Sequence, residues 1–95
     1  MARGYWIAQV DVTDPERYRE YTSAIGAVLA GFGGRFLVRG GQGEAVEGAA
    51  RRRQVVIEFD SYERAVACYR SSEYQAIIPL RRGAADIDLV VVEGA

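Results

Sequence analysis

The order in which hydrophobic periods change along this chain constrains its fold more than its composition does. Residues 4–12, Gly-Tyr-Trp-Ile-Ala-Gln-Val-Asp-Val, are rich in β-branched and aromatic side chains and predict a first strand. Thr13-Asp14-Pro15-Glu16 predicts a helix start, with a capping side chain, a proline in the first turn and an acid at the positive dipole end. Tyr18, Tyr21, Ile25, Val28, Leu29 and Phe32 then recur at steps of three and four, an apolar stripe along one helix face. Gly31, Gly33 and Gly34 stop that helix. Arg35 to Arg39 reads as a second strand. The glycine-punctuated segment from Gly40 to Gly48 leaves room for a short strand around Glu44 to Glu47.

Gln54 to Asp60 is the most strand-like run. Ser61 caps a second helix with Ala65, Val66 and Tyr69 inward, and Ser71 or Ser72 caps a further piece through Tyr74, Ile77 and Ile78. Pro79 ends or kinks it, and Ile87 to Val92 makes the last strand. The resulting order, βαββαβ, is the split unit of an α+β, ferredoxin-like fold with a four-stranded antiparallel sheet. The 95 residues are expected to form one domain, 1–95, since two cores of half that size would each be marginal.

Helices on one side of such a sheet give each strand two different faces. The helix side is expected to take Trp6, Ala8, Val10, Phe36, Val38, Val55, Ile57 and Phe59. The open side then receives Tyr5, Ile7, Gln9, Arg35, Leu37, Arg39, Gln54, Val56 and Glu58. That second set is too apolar for bare solvent and too polar for a dry core, which fits a face meeting another subunit around a wet cavity. With symmetric hairpin pairing Arg35 lies opposite Glu58 and Arg39 opposite Gln54. A bulge in the glycine-rich loop would shift that register.

Missing residue types narrow the chemistry. The sequence has no histidine and no lysine, which removes a Ser-His-Asp triad, histidine-ligated zinc, a Schiff base and a phosphate-loop lysine within one chain. Twelve basic residues against 13 acidic ones leave a net charge of −1, a balance that disfavours nucleic acid and anionic membranes as partners. The lone Cys68 cannot close an internal disulfide and fits a reducing cytoplasm. No apolar run approaches a membrane span, and the first residues have no signal-peptide stretch. A soluble cytoplasmic domain is expected, with no metal and no cofactor.

Arg39 and Glu58 stand out as candidate chemistry on the open face, where a guanidinium clamps a carboxylate and a glutamate takes a proton. The competing reading is an ion pair or interface contact. Tyr69, Glu73, Tyr74 and Arg81 gather around the second helical region, either as a ligand-binding wall or as core plugs with charged helix ends. Tyr18 and Tyr21 fit the first helix stripe as packing residues. Arg51-Arg52-Arg53 has no stacking aromatics beside it and reads as a solvated loop. Gly40, Gly41 and Gly43 do not complete a dinucleotide fingerprint. Cys68, within a helix and without an activating base, reads as a buried structural thiol.

Gly-Tyr-Trp-Ile-Ala at 4–8, Val-Thr-Asp-Pro-Glu at 12–16 and Gly-Gly-Arg-Phe-Leu-Val-Arg-Gly-Gly at 33–41 resemble the domain-of-unknown-function-1330 family. So do Glu-Gly at 47–48, Val-Val-Ile-Glu-Phe at 55–59, Ser-Ser-Glu-Tyr-Gln at 71–75 and Val-Glu-Gly at 92–94. The resemblance runs from Gly4 to Gly94 and implies a dimeric α/β-barrel in which two ferredoxin-like units pack sheet to sheet. It implies no activity. Asp60 stands where that family commonly has proline, and Cys68 where it commonly has tryptophan.

The expectation is therefore a homodimer that binds a small organic molecule in a cleft at the sheet face. Arg39, Tyr69, Tyr74 and Arg81 are its candidate ligand contacts and Glu58 its candidate base. A cofactor-free oxygenase or isomerase, and a structural or regulatory dimer without ligand, are the alternatives.

Overall fold

Asp14 fixes where the first strand gives way to the first helix. In the computed structural model, which describes residues 2–95, β1 (Gly4–Val12) passes into α1 (Pro15–Gly31) with the Asp14 carboxylate accepting the Arg17 backbone N–H at 3.2 Å. Pro15 opens the helix, where its missing N–H costs nothing. Gly33, at φ 72°, closes it, and the Gly34 N–H reaches back to the Leu29 carbonyl at 2.8 Å. There follow β2 (Arg35–Arg39), β3 (Arg53–Phe59), α2 (Tyr62–Arg70), α3 (Ser72–Ile77), a 3-10 turn at Ile78–Arg81 holding Pro79, and β4 (Ala85–Glu93). Glu44–Glu47 forms no strand. The segment between β2 and β3 is instead pinned at its end, where the Arg51 backbone N–H donates to Gln9 and that of Arg52 to Asp11.

The sheet is antiparallel in the order β2-β3-β1-β4, the ferredoxin-like α+β arrangement. Cα extents of 36 × 33 × 17 Å describe a slab two layers thick, helices on one side. Between the layers lie Trp6, Phe59, Leu29 and Tyr74. Trp6 donates its indole N–H to the Ala65 carbonyl at 2.8 Å and meets the Tyr74 ring edge-on, so a large side chain is buried with its one donor satisfied. Cys68 is also fully buried, as expected of a structural thiol, and burial pushes its pKa up to about 11.

The register of β2 departs from the symmetric pairing. Arg35 lies opposite Glu58 and Phe36 opposite Ile57, but a bulge at Leu37 then sets Val38 opposite Val56 and Arg39 opposite Val55. One extra residue turns every later side chain to the other face. Val38, expected on the helix side, is exposed on the open face beside Leu37. Arg39 moves the opposite way. It lies on the helix side, its guanidinium 4.2 Å above the Phe36 ring.

Candidate functional site

The open face is banded. Val38, Val56, Ile7 and Val90 are cross-strand partners in sequence, one aliphatic row spanning all four strands. Ile7 is 43% exposed and Val90 58%. To one side runs the row Arg35–Glu58–Tyr5–Val92, and to the other Gln54–Gln9–Asp88. Charges in both flanking rows are paired. Glu58 accepts from the Tyr5 hydroxyl at 2.9 Å and lies 3.0 Å from Arg35 and 3.9 Å from Arg3. Asp60 extends this cluster to the same two arginines. Arg51 bridges Asp88 at 2.8 Å and Asp11 at 3.1 Å. The Tyr5 hydroxyl first, then Arg35 and Arg3, hold Glu58 below the usual carboxylate range. A carboxylate so held is a weak proton acceptor at neutral pH.

The helix side contains a hollow, and its cause is a small residue. Ala8 sits in the middle of the row Arg39–Val55–Ala8–Leu89, directly under α1. Its single methyl leaves a cavity of about 40 Å³, floored by Val10, Val55 and Leu89 and roofed by Tyr18, Tyr21 and Ile25. An open groove of about 420 Å³ adjoins it and shares Tyr18, Thr22, Arg39 and Arg53. Those four residues form the mouth. No aspartate or glutamate lines either space, and no ion pair among the described residues includes Arg39 or Arg53. Arg53 reaches this position because it alternates in phase with Val55, Ile57 and Phe59, and because Gly40 presents bare backbone against its guanidinium. Burial raises the Tyr18 phenol pKa, with Arg53 and Arg81 opposing the rise. At neutral pH that hydroxyl is a donor.

Residues 3–95 match the family model described as Domain of unknown function (DUF1330). The chain belongs to the DUF1330 family. Among curated proteins none matches it. The DUF1330 chain is similar in structure to a protein of unknown function from Rhodopseudomonas palustris, with TM-score 0.77 and 18% identity over 99% of this chain and 83% of that one. It is also similar to a dimeric ferredoxin-like protein of unknown function from Thermobifida fusca YX, with TM-score 0.61 and 18% identity over 99% and 91% of the two chains. An ethyl tert-butyl ether d (EthD) family protein from Bacillus halodurans C-125 gives TM-score 0.59 and 14% identity over 100% of both. At these identities the likeness is one of fold.

Within this DUF1330 fold the residues singled out from the sequence fall into three places. Glu58 lies on the open face, in the paired cluster with Arg35. Arg39 lies on the other side of the sheet, at the mouth of the hollow, so the two are not neighbours. Tyr69, Tyr74 and Arg81 form a third group. Tyr74 is wholly buried, its hydroxyl 2.8 Å from that of Tyr21, and Tyr69 packs against both Trp6 and Tyr74. Arg81 lies 5.4 Å from the centre of the Tyr21 ring and donates to the Tyr74 hydroxyl at 3.4 Å. Glu73 stays exposed in the first turn of α3. Of the mouth residues, sequence reasoning missed Thr22, read Tyr18 as packing only, and placed Arg53 in a solvated loop where the structure puts it at the start of β3. The signal for Arg53 was present, since it shares the period-two phase of the helix-side set.

Proposed function

We propose that this protein is a homodimer, paired through the open sheet face as a dimeric α/β-barrel, that binds a small organic molecule in the hollow beneath α1. The observation that carries the ligand half is the hollow itself: an apolar pocket above Ala8 whose mouth is lined by donors, Arg39, Arg53, Tyr18 and Thr22. An apolar pocket with a few convergent polar groups is the usual anatomy of a ligand site, and the adjoining groove of about 420 Å³ brings this one to the size of such sites. The pairing half is supported by the aliphatic row Val38–Val56–Ile7–Val90, an apolar band that a monomer of this size would leave in water. A slab of these extents has room for the roughly 800 Å² per partner of a stable interface. The Thermobifida fusca neighbour, described as dimeric, is in keeping with a dimer. The buried thiol of Cys68 suits a reducing compartment, and the cytoplasm is the location proposed.

In this reading Glu58 orders the interface and the ligand contacts come from the helix side. Native mass spectrometry tests the pairing, with a dimer mass expected and a monomer at micromolar concentration contradicting it. Xenon tests the hollow, because it enters dry apolar cavities. The methyl signals of Ile25, Val55 and Leu89 are expected to shift saturably under xenon pressure, and Ala8→Leu, which fills the space, is expected to abolish the shifts. Identical responses from the parent protein and Ala8→Leu would sink the ligand half.

A further inference from the structure

We propose that the mouth of this hollow recognises a carboxylate, so that its ligand is a small monocarboxylate with a short aliphatic tail, held by Arg39 and Arg53. The inference rests on the hollow being the ligand site and adds the chemical class of its occupant. Arg39 and Arg53 are near neighbours on adjacent strands, on the same face, with Val55 the direct partner of Arg39. Two like charges so placed repel one another. On the open face Arg3, Arg35 and Arg51 each have a carboxylate from the chain, but among the described residues none is supplied to Arg39 or Arg53. Among the described residues Arg39 has no ion pair or side-chain hydrogen bond and lies 4.2 Å from the Phe36 ring, and Arg53 keeps its Nε buried without a hydrogen-bond partner. Uncompensated positive potential at the lip of a low-dielectric pocket attracts an anion, and Arg19 on the rim of the groove adds to it. Planar guanidinium groups match a planar carboxylate through paired N–H donors, while the Tyr18 and Thr22 hydroxyls offer further donors at the same mouth.

The tail follows from volume. A cavity of about 40 Å³ holds roughly three water-sized groups, since one takes about 10–15 Å³ by the same measure. Its walls are Val10, Ile25, Val55, Ile87 and Leu89, which exclude a polar tail. A branched three-carbon tail fits this description, and a bare inorganic anion leaves the pocket unused.

Calorimetry on the intact protein tests this with isobutyrate, its neutral isostere isobutyramide, and inorganic phosphate, while methyl shifts of Val55 and Leu89 report where each binds. Isobutyrate is expected to bind at the hollow at least tenfold more tightly than isobutyramide or phosphate. Arg53→Met and Arg39→Met should each weaken isobutyrate at least tenfold and leave isobutyramide unchanged. Gly40→Ala, which drives a methyl into the Arg53 guanidinium, supplies a second route should Arg53→Met fail to fold. Isobutyramide binding as tightly as isobutyrate would overturn the carboxylate while leaving the hollow as a ligand site. Phosphate binding as tightly would overturn the aliphatic acid as the class. If neither organic probe moves the Val55 and Leu89 signals, the hollow is not the site and both readings fall.

Discussion

On the open face of the sheet Arg3, Arg35 and Arg51 all lie within 3.9 Å of a carboxylate, whereas Arg39 and Arg53 on the helix side have no acidic partner among the described residues. The two faces also differ in how they treat apolar side chains. Helices cover the inner row around Ala8 and leave a small void, while the outer row of Val38, Val56, Ile7 and Val90 is left uncovered. A charge already paired within the chain has little left to offer a ligand. An unpaired charge beside an empty apolar pocket does. In the proposed reading, pairing together with the neighbouring void distinguishes the face that assembles from the face that binds.

The sharpest way to separate the faces is to damage each in turn. Phe59→Ala, on the helix side and wholly buried, is expected to cost about 3–5 kcal/mol in urea denaturation, because it removes a large core ring beside Trp6. A loss under 1 kcal/mol would mean that the layers between α2 and β3 are not packed as described. On the other face Val90→Asp should leave the protomer folded, since Val90 is already 58% exposed, but bring a charge into the proposed dimer contact. Association should weaken by about a hundredfold or more by sedimentation, the scale of losing a central interface residue. An unchanged dimer would remove the open face from the interface.

Acid should weaken the ion pairs of the open face. Glu58 is held below its ordinary range by the Tyr5 hydroxyl and then by Arg35 and Arg3, and Asp11 by the Arg52 backbone N–H and then by the Arg51 side chain. Both folded values lie below the unfolded ones, about 4.3 for Glu and 3.9 for Asp, so their stabilisation is complete at neutral pH. It is lost as pH falls through the folded values. The urea midpoint should thus hold steady down to about pH 5 and decline below pH 4. Glu58→Gln should flatten that decline, and an identical acid limb in the variant would show that the carboxylate is not held as the geometry implies. The smallest effect is expected at Cys68. Cys68→Ala should cost about 1 kcal/mol or less by denaturation, as for a small hydrophobe, and rapid labelling of the native thiol would contradict its burial.

Much of the fold was legible in the sequence for local reasons. Asp14-Pro15 announces the start of α1, and Tyr18, Tyr21, Ile25 and Leu29 are its buried stripe. The alternation in β1 assigns Trp6, Ala8 and Val10 to the core side without any knowledge of the partners. The β2 register was not legible. Arg-Phe-Leu-Val-Arg satisfies either phase, and pairing with β3, sixteen or more residues away, decides in favour of a bulge at Leu37. That one residue separated Arg39 from Glu58 and moved it to the hollow. The hollow itself was invisible for a similar reason, because Ala8 becomes a void only once Val55, Leu89 and α1 surround it. Arg53 was hidden in plain view within a run of three arginines whose members have separate fates: Arg51 pairs across the open face, Arg52 is exposed and Arg53 lies beneath α1.

The division of labour between the faces is tested most directly by the arginine side chains themselves. Guanidinium Nε–H signals followed by nuclear magnetic resonance during a titration with isobutyrate resolve each arginine separately. Saturable shifts are expected at Arg39 and Arg53, with Arg3, Arg35 and Arg51 unmoved because chain carboxylates already occupy them. Shifts spread evenly over all five, or confined to the open-face three, would contradict the account.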